Sequence, residues 1–103
     1  MTTVRIDDHG VSRRVPDGGE ERVRWDELSE VAIVTTDEGP LGDDVFFVLT
    51  SRDGSGCVIA QHAADEVGLL ERLQRLAGFD NELFIASMSS TRRARFVVWR
   101  APV

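Results

Sequence analysis

IVTTDEGPLGDDVFFVL, residues 33–49, places two strongly apolar runs on either side of a Gly-Pro turn with four acids, Asp37, Glu38, Asp43 and Asp44. Extended outward, the flanks are SEVAIVTT (29–36) and DVFFVLTS (44–51). Both are rich in Val, Ile, Phe and Thr, the side chains that fit a pleated, half-buried surface. Two such runs joined by a turn read as a long hairpin, the strongest pair of strands in the chain. Val45 to Leu49 is apolar on both faces, so this strand is expected to be covered on both sides.

Upstream, TVRID alternates Val4 and Ile6 against Arg5 and Asp7, the period of two of a half-buried strand. Asp-His-Gly at 8–10 and Pro-Asp-Gly-Gly at 16–19 supply turn chemistry around VSRRV. In EERVRWDEL, Val23 and Trp25 face one way while Arg22, Arg24 and Asp26 face water. These three strands read as an antiparallel meander. Downstream, RDGSG turns the chain into CVIA, a sixth strand.

The period then changes. In ADEVGLLERLQRLAG (64–78), Val67, Leu70, Leu73 and Leu76 or Ala77 recur at helical spacing, with Leu69 widening the stripe. Asp65 and Glu66 begin it and Arg72 and Arg75 lie near its end, matching the helix dipole. Gly78 suits the residue after the helix. Asp80 is placed to cap a second, short helix, NELFIASM, with Phe79 and Phe84 at hydrophobic-staple positions. TRRARFVVWR (91–100) returns to alternation as a final strand, with Ala94, Phe96 and Val98 opposite Arg93, Arg95, Val97 and Trp99. The expected class is α+β: an antiparallel curved sheet or partly closed barrel of six or seven strands, plugged by the amphipathic helix. Strands followed by a plugging helix is the order of a pleckstrin-homology-like barrel, from which the last strand departs.

At 103 residues the chain reads as one domain, 1–103, able to bury one core without disulfides or metal. No apolar run approaches the roughly 18 residues of a membrane span, and the polar start lacks a signal-peptide apolar region. The lone Cys57 has no internal disulfide partner, and a cytoplasmic location is expected. Net charge is −6 and every basic residue is Arg. Residues 26–44 hold seven acids and no base, whereas only bases follow Glu82. An acidic chain is repelled by phosphate backbones and anionic headgroups, so neither nucleic acid nor membrane is expected as a partner.

The segment WDELSEVAIVTTDEGP, then DVFFVL, LLERLQRLAGFDNE and STRRARFVVW resembles an uncharacterised family of small bacterial proteins. That family shows a similar Trp-x-x-Leu-x-x-Val-x-Ile-x-Thr-Thr-Asp-x-Gly-Pro segment, a Gly-Phe-Asp-Asn corner and a closing Phe-x-x-Trp. The resemblance covers most of residues 25–99 and implies no activity or catalytic residue.

The acids of the opening hairpin fall in two adjacent pairs, Asp37–Glu38 and Asp43–Asp44, which fits no EF-hand register. They read first as a solvated connection and second as a protein-contact surface. Thr35 and Thr36 carry ordinary strand propensity. Cys57 and His62 lie five residues apart and would point to opposite faces of a continuing strand, a poor nucleophile–base pair. No hydrolase elbow, metalloprotease, phosphate-loop or dinucleotide motif occurs. Arg92, Arg93 and Arg95 have the chemistry to grip a carboxylate or phosphate, but a solvated face or pairing with the chain's own acids explains them more simply. Trp99 on that face would be an aromatic anchor beside charge, a hot-spot composition, unless a bulge turns it into the core. The expected function is a non-catalytic protein-interaction module that needs no cofactor and binds a protein partner or a second copy of itself. Its expected contacts are Asp37, Glu38, Asp43, Asp44, Arg93, Arg95 and Trp99. The alternatives are an acidic inhibitor or immunity-type protein that blocks a basic toxin or nuclease, and, last, a small-molecule enzyme.

Overall fold

The alternating N-terminal segments form β1 (Val4–Ile6), β2 (Gly10–Arg14) and β3 (Glu20–Arg24), a three-stranded antiparallel sheet, in a computed structural model that describes residues 4–36, 45–90 and 92–102. Asp7 Oδ1 shapes the first turn by accepting the N–H groups of His9 at 2.8 Å and Gly10 at 3.0 Å. Gly18, at φ 92°, takes the left-handed position in the second. A 3₁₀ turn over Trp25–Glu27 leads into β4 (Leu28–Thr35). β4 is central: β5 (Val45–Ser51) pairs on one side, β7 (Ala94–Arg100) on the other, and β6 (Gly56–Ala60) lies beyond β5.

The chain is therefore α+β with two antiparallel sheets, of order β1-β2-β3 and β6-β5-β4-β7. The expected single barrel does not close, because a side chain replaces the backbone ladder where β3 meets β6. Val58 N–H, pointing off the β6 edge, donates to Glu21 Oε1 of β3 at 3.1 Å, and Arg13 Nε of β2 lies 3.2 Å from the same oxygen.

The core fills the space between the sheets. Val4, Val11 and Val23 come from the first sheet, and Val31, Ile33, Phe47, Leu49, Cys57 and Ile59 from the inner face of the second. The helical segment is broken where one helix is expected. Gly68 at φ 70° ends α1 (Gln61–Val67) and starts α2 (Leu69–Leu73), a backbone conformation that costs other residues about 1 kcal/mol or more. The break turns Ala63 and Ala64 of α1 and Leu69 and Leu73 of α2 into one core. α3 (Asn81–Met88) has the expected cap: Asp80 Oδ1 accepts Leu83 N–H at 2.9 Å. Phe79 and Phe84 meet with ring centroids 6.4 Å apart, and Phe84 packs on Phe47 of β5 at 6.1 Å.

Candidate interaction surface

Strand register decides which side chains leave the core. Val31, Ile33 and Thr35 of β4 point inward beside Val45, Phe47 and Leu49 of β5. The alternate residues therefore share the outer face of the sheet. One cross-strand row there is Val58, Val48, Ala32 and Val97, and the next contains Phe46, Val34 and Arg95. Val34, Phe46, Val48 and Val97 are half-buried, and Val58 is 36% exposed.

The half-buried apolar residues that do pack against the core include Ile6, Trp25, Val67, Leu70 and Leu83; Val34, Phe46, Val48 and Val97 are not among them. The buried helix residues Ala63, Ala64, Leu69, Leu73 and Phe84 all join the inner core. Among the described residues, the helices cover the inner face of β5, and none of the core helix residues lies on the outer face of the sheet, where Ala32 is nonetheless fully buried between its neighbours. The outer face is an aliphatic and aromatic surface with no charged residue in its Val58–Val97 row.

Its rim is charged. Glu30 of β4 receives Arg95 of β7 and lies 3.4 Å from Arg100 Nε. Arg95 and Arg100 are largely exposed, so these pairs contribute only about 0–1 kcal/mol each. Arg95, expected as a partner contact, is thereby tied to the chain's own acid at the border of the apolar face. Arg93 is exposed ahead of β7 and already has an interaction within the chain.

Trp99 goes the other way. β7 pairs Val31 with Trp99 and Ala32 with Val97, so Val98 is inserted as a bulge. The extra residue rotates Trp99 from the arginine side to the core side, where it is 9% exposed and donates its Nε1–H to Ala77 O at 2.9 Å. The exposed aromatic anchor is corrected to a buried core residue. Asp37, Glu38, Asp43 and Asp44 lie outside the described residues.

Cys57 is fully buried. Burial first, and the neighbouring Glu21 second, push its thiol up to about 12, which keeps it protonated and unreactive as a nucleophile. His62 is exposed on α1. Among the described residues, no group of three His, Cys, Asp or Glu side chains is placed to share a metal ion, and no helix is long and apolar enough to cross a membrane. The outer apolar face escaped sequence reasoning although its signal, the uninterrupted apolar run of β5, was visible. No protein-family model, curated protein or solved structure matches the chain.

Proposed function

We propose that the chain is a non-catalytic interaction module that pairs with a second copy of itself through the outer face of the β6-β5-β4-β7 sheet. The observation that carries this reading is the outward apolar row Val58–Val48–Ala32–Val97, flanked by Phe46 and Val34. Monomeric domains rarely expose contiguous apolar patches larger than a few hundred Å², and the largest such patch is often a contact site. An identical sheet has the same twist and stacks at about 10 Å, sheet on sheet, around a two-fold axis. The mixed rim of Glu30, Arg95 and Arg100 keeps the approach path from being uniformly acidic in a chain of net charge −6.

Four strands about 4.8 Å apart and five to eight residues long cover roughly 300–500 Å² in plan. A standard interface buries about 800 Å² per partner, so this face alone supports a weak dimer, with a dissociation constant of roughly 1–100 µM. A cytoplasmic setting fits the lone thiol. The order of strands up to α2 keeps a pleckstrin-homology-like ancestry in view, with β7 as an addition.

The test is Val48→Asp, which puts a charge at the centre of the face without touching the core. By light scattering after size exclusion, the wild type should be dimeric at high concentration and the variant monomeric, with the same circular dichroism. A variant that self-associates like the wild type rules out this face. Salt separates the acidic-inhibitor alternative: added salt should strengthen pairing of two −6 chains by screening their repulsion, whereas docking onto a basic partner would weaken.

A further inference from the structure

The outer face of the three-stranded sheet has a different chemistry, independent of the pairing surface. Register places Arg5 opposite Ser12, and Ser12 opposite Arg22. Arg14 follows Ser12 on the same side of β2, opposite Glu20. These side chains with Asp7 line a depression of about 360 Å³. At Gly10, which also lines it, β2 approaches β3 more closely than a side chain allows: a Cβ would lie 2.2 Å from Val23 O.

We infer that this concavity is a binding site for a small oxyanion, a phosphate or carboxylate group, held between Arg5 and Arg22 over the Ser12 hydroxyl. The arrangement runs against the charge of the chain: three guanidiniums and two carboxylates line the depression, while the whole molecule carries −6. Arg5 and Arg22 flank Ser12 from the two outer strands, with Arg14 diagonal to both on β2; like charges on one face repel, and an anion seated between them relieves that repulsion. Asp7 offsets this charge only in part: its Oδ1 accepts the His9 and Gly10 N–H groups, and its carboxylate is attracted to Arg22 but not to Arg5. Guanidinium recognises both phosphate and carboxylate in bidentate geometry, and a hydroxyl between two such forks adds a donor to a third oxygen. Arg14 and Glu20, paired across β2 and β3, close one end of the depression, and Asp7 closes the other.

Isothermal titration at low ionic strength, with inorganic phosphate in one arm and citrate in the other, tests the site; sodium chloride at matched ionic strength is the control. At least one oxyanion should bind saturably at one per chain. Arg5→Gln and Arg22→Gln should each weaken it about tenfold or more, as expected for loss of a charge-assisted bond, and Ser12→Ala should weaken it by a few-fold. Arg75→Gln, on an exposed residue following α2, should bind as the wild type does. Binding in the phosphate arm alone identifies a phosphoryl ligand; binding in the citrate arm alone identifies a carboxylate. Arg5 and Arg22 are exposed, so unchanged circular dichroism is expected in both variants. Val48→Asp should retain anion binding, which separates this site from the pairing face. Heats equal to those of chloride in both arms, or unaltered affinity in Arg5→Gln and Arg22→Gln, would overturn the assignment.

Discussion

Replacing Trp99 with Phe separates a core residue from a surface anchor, and its cost follows from two contacts. The indole Nε1–H donates to Ala77 O at 2.9 Å; a hydrogen bond of this kind contributes about 1 kcal/mol net. Ala77 is exposed, so water can take over its carbonyl and no further desolvation penalty is added. The ring is 9% exposed, and shrinking it to phenyl removes roughly 40 Å² of buried surface, about 1 kcal/mol at 25 cal/mol per Å². The sum, about 2 kcal/mol, is a large share of the roughly 5–15 kcal/mol that stabilises a domain of this kind. In a urea titration followed by far-ultraviolet circular dichroism, with a slope of about 1–2 kcal/mol per molar, the midpoint should fall by roughly 1–2 M. Self-association of the folded variant should be unchanged. A midpoint shifted by less than about 0.3 M, corresponding to under roughly 0.5 kcal/mol, together with lost self-association, would refute the assignment of Trp99 to the core.

Backbone conformation and burial set the remaining outcomes. Gly10→Ala forces a Cβ to within 2.2 Å of Val23 O and 2.9 Å of Arg24 Cα; backbone must shift, and thermal melts should show a loss of roughly 1–3 kcal/mol. Gly18→Ala meets no atom within 4 Å but holds φ at 92°, so it should cost only about 1–2 kcal/mol. Cys57 should resist iodoacetamide in the native protein at pH 8 and react in urea. Its folded thiol titrates near 12, above the ordinary value of 9.0. The unfolded chain therefore releases this proton first, and the thiol's contribution to stability, complete below about pH 9, is lost as pH rises towards 12. A denaturation midpoint that rises across that window would contradict the buried, neutral thiol.

Local chemistry made much of this fold legible. The Asp80 cap and the Phe79–Phe84 contact follow from residue type and spacing over five positions, where few alternatives compete. The first and third strands follow from alternation, which sets Val4 and Ile6, and likewise Val23, on the opposite face from their charged neighbours. The Gly68 break was less visible, because Val67, Leu70 and Leu73 keep helical spacing through it and only the positive φ ends the first helix. β7 hid its bulge for a related reason: the extra residue at Val98 shifts the period of two, so Trp99 read as a neighbour of Arg93 and Arg95 when it faces Val31. Barrel closure depends on how β3 meets β6, a contact 37 residues apart in sequence through Glu21 and Val58, which no local pattern encodes. The outer face was half legible. The run Val45–Leu49 announced two apolar sides, but whether a helix covers the second depends on where α1 to α3 pack.

Pairing of two chains through the outer apolar face of the second sheet makes the protein's mass depend on its concentration. Sedimentation equilibrium of the wild-type protein, from about 1 µM to 1 mM at 0.15 M salt, tests it most directly. The weight-average mass should rise reversibly from 11.4 kDa towards twice that value, with a midpoint in the roughly 1–100 µM range and a stronger transition at higher salt. A mass that stays at 11.4 kDa throughout, at both low and high salt, would contradict it.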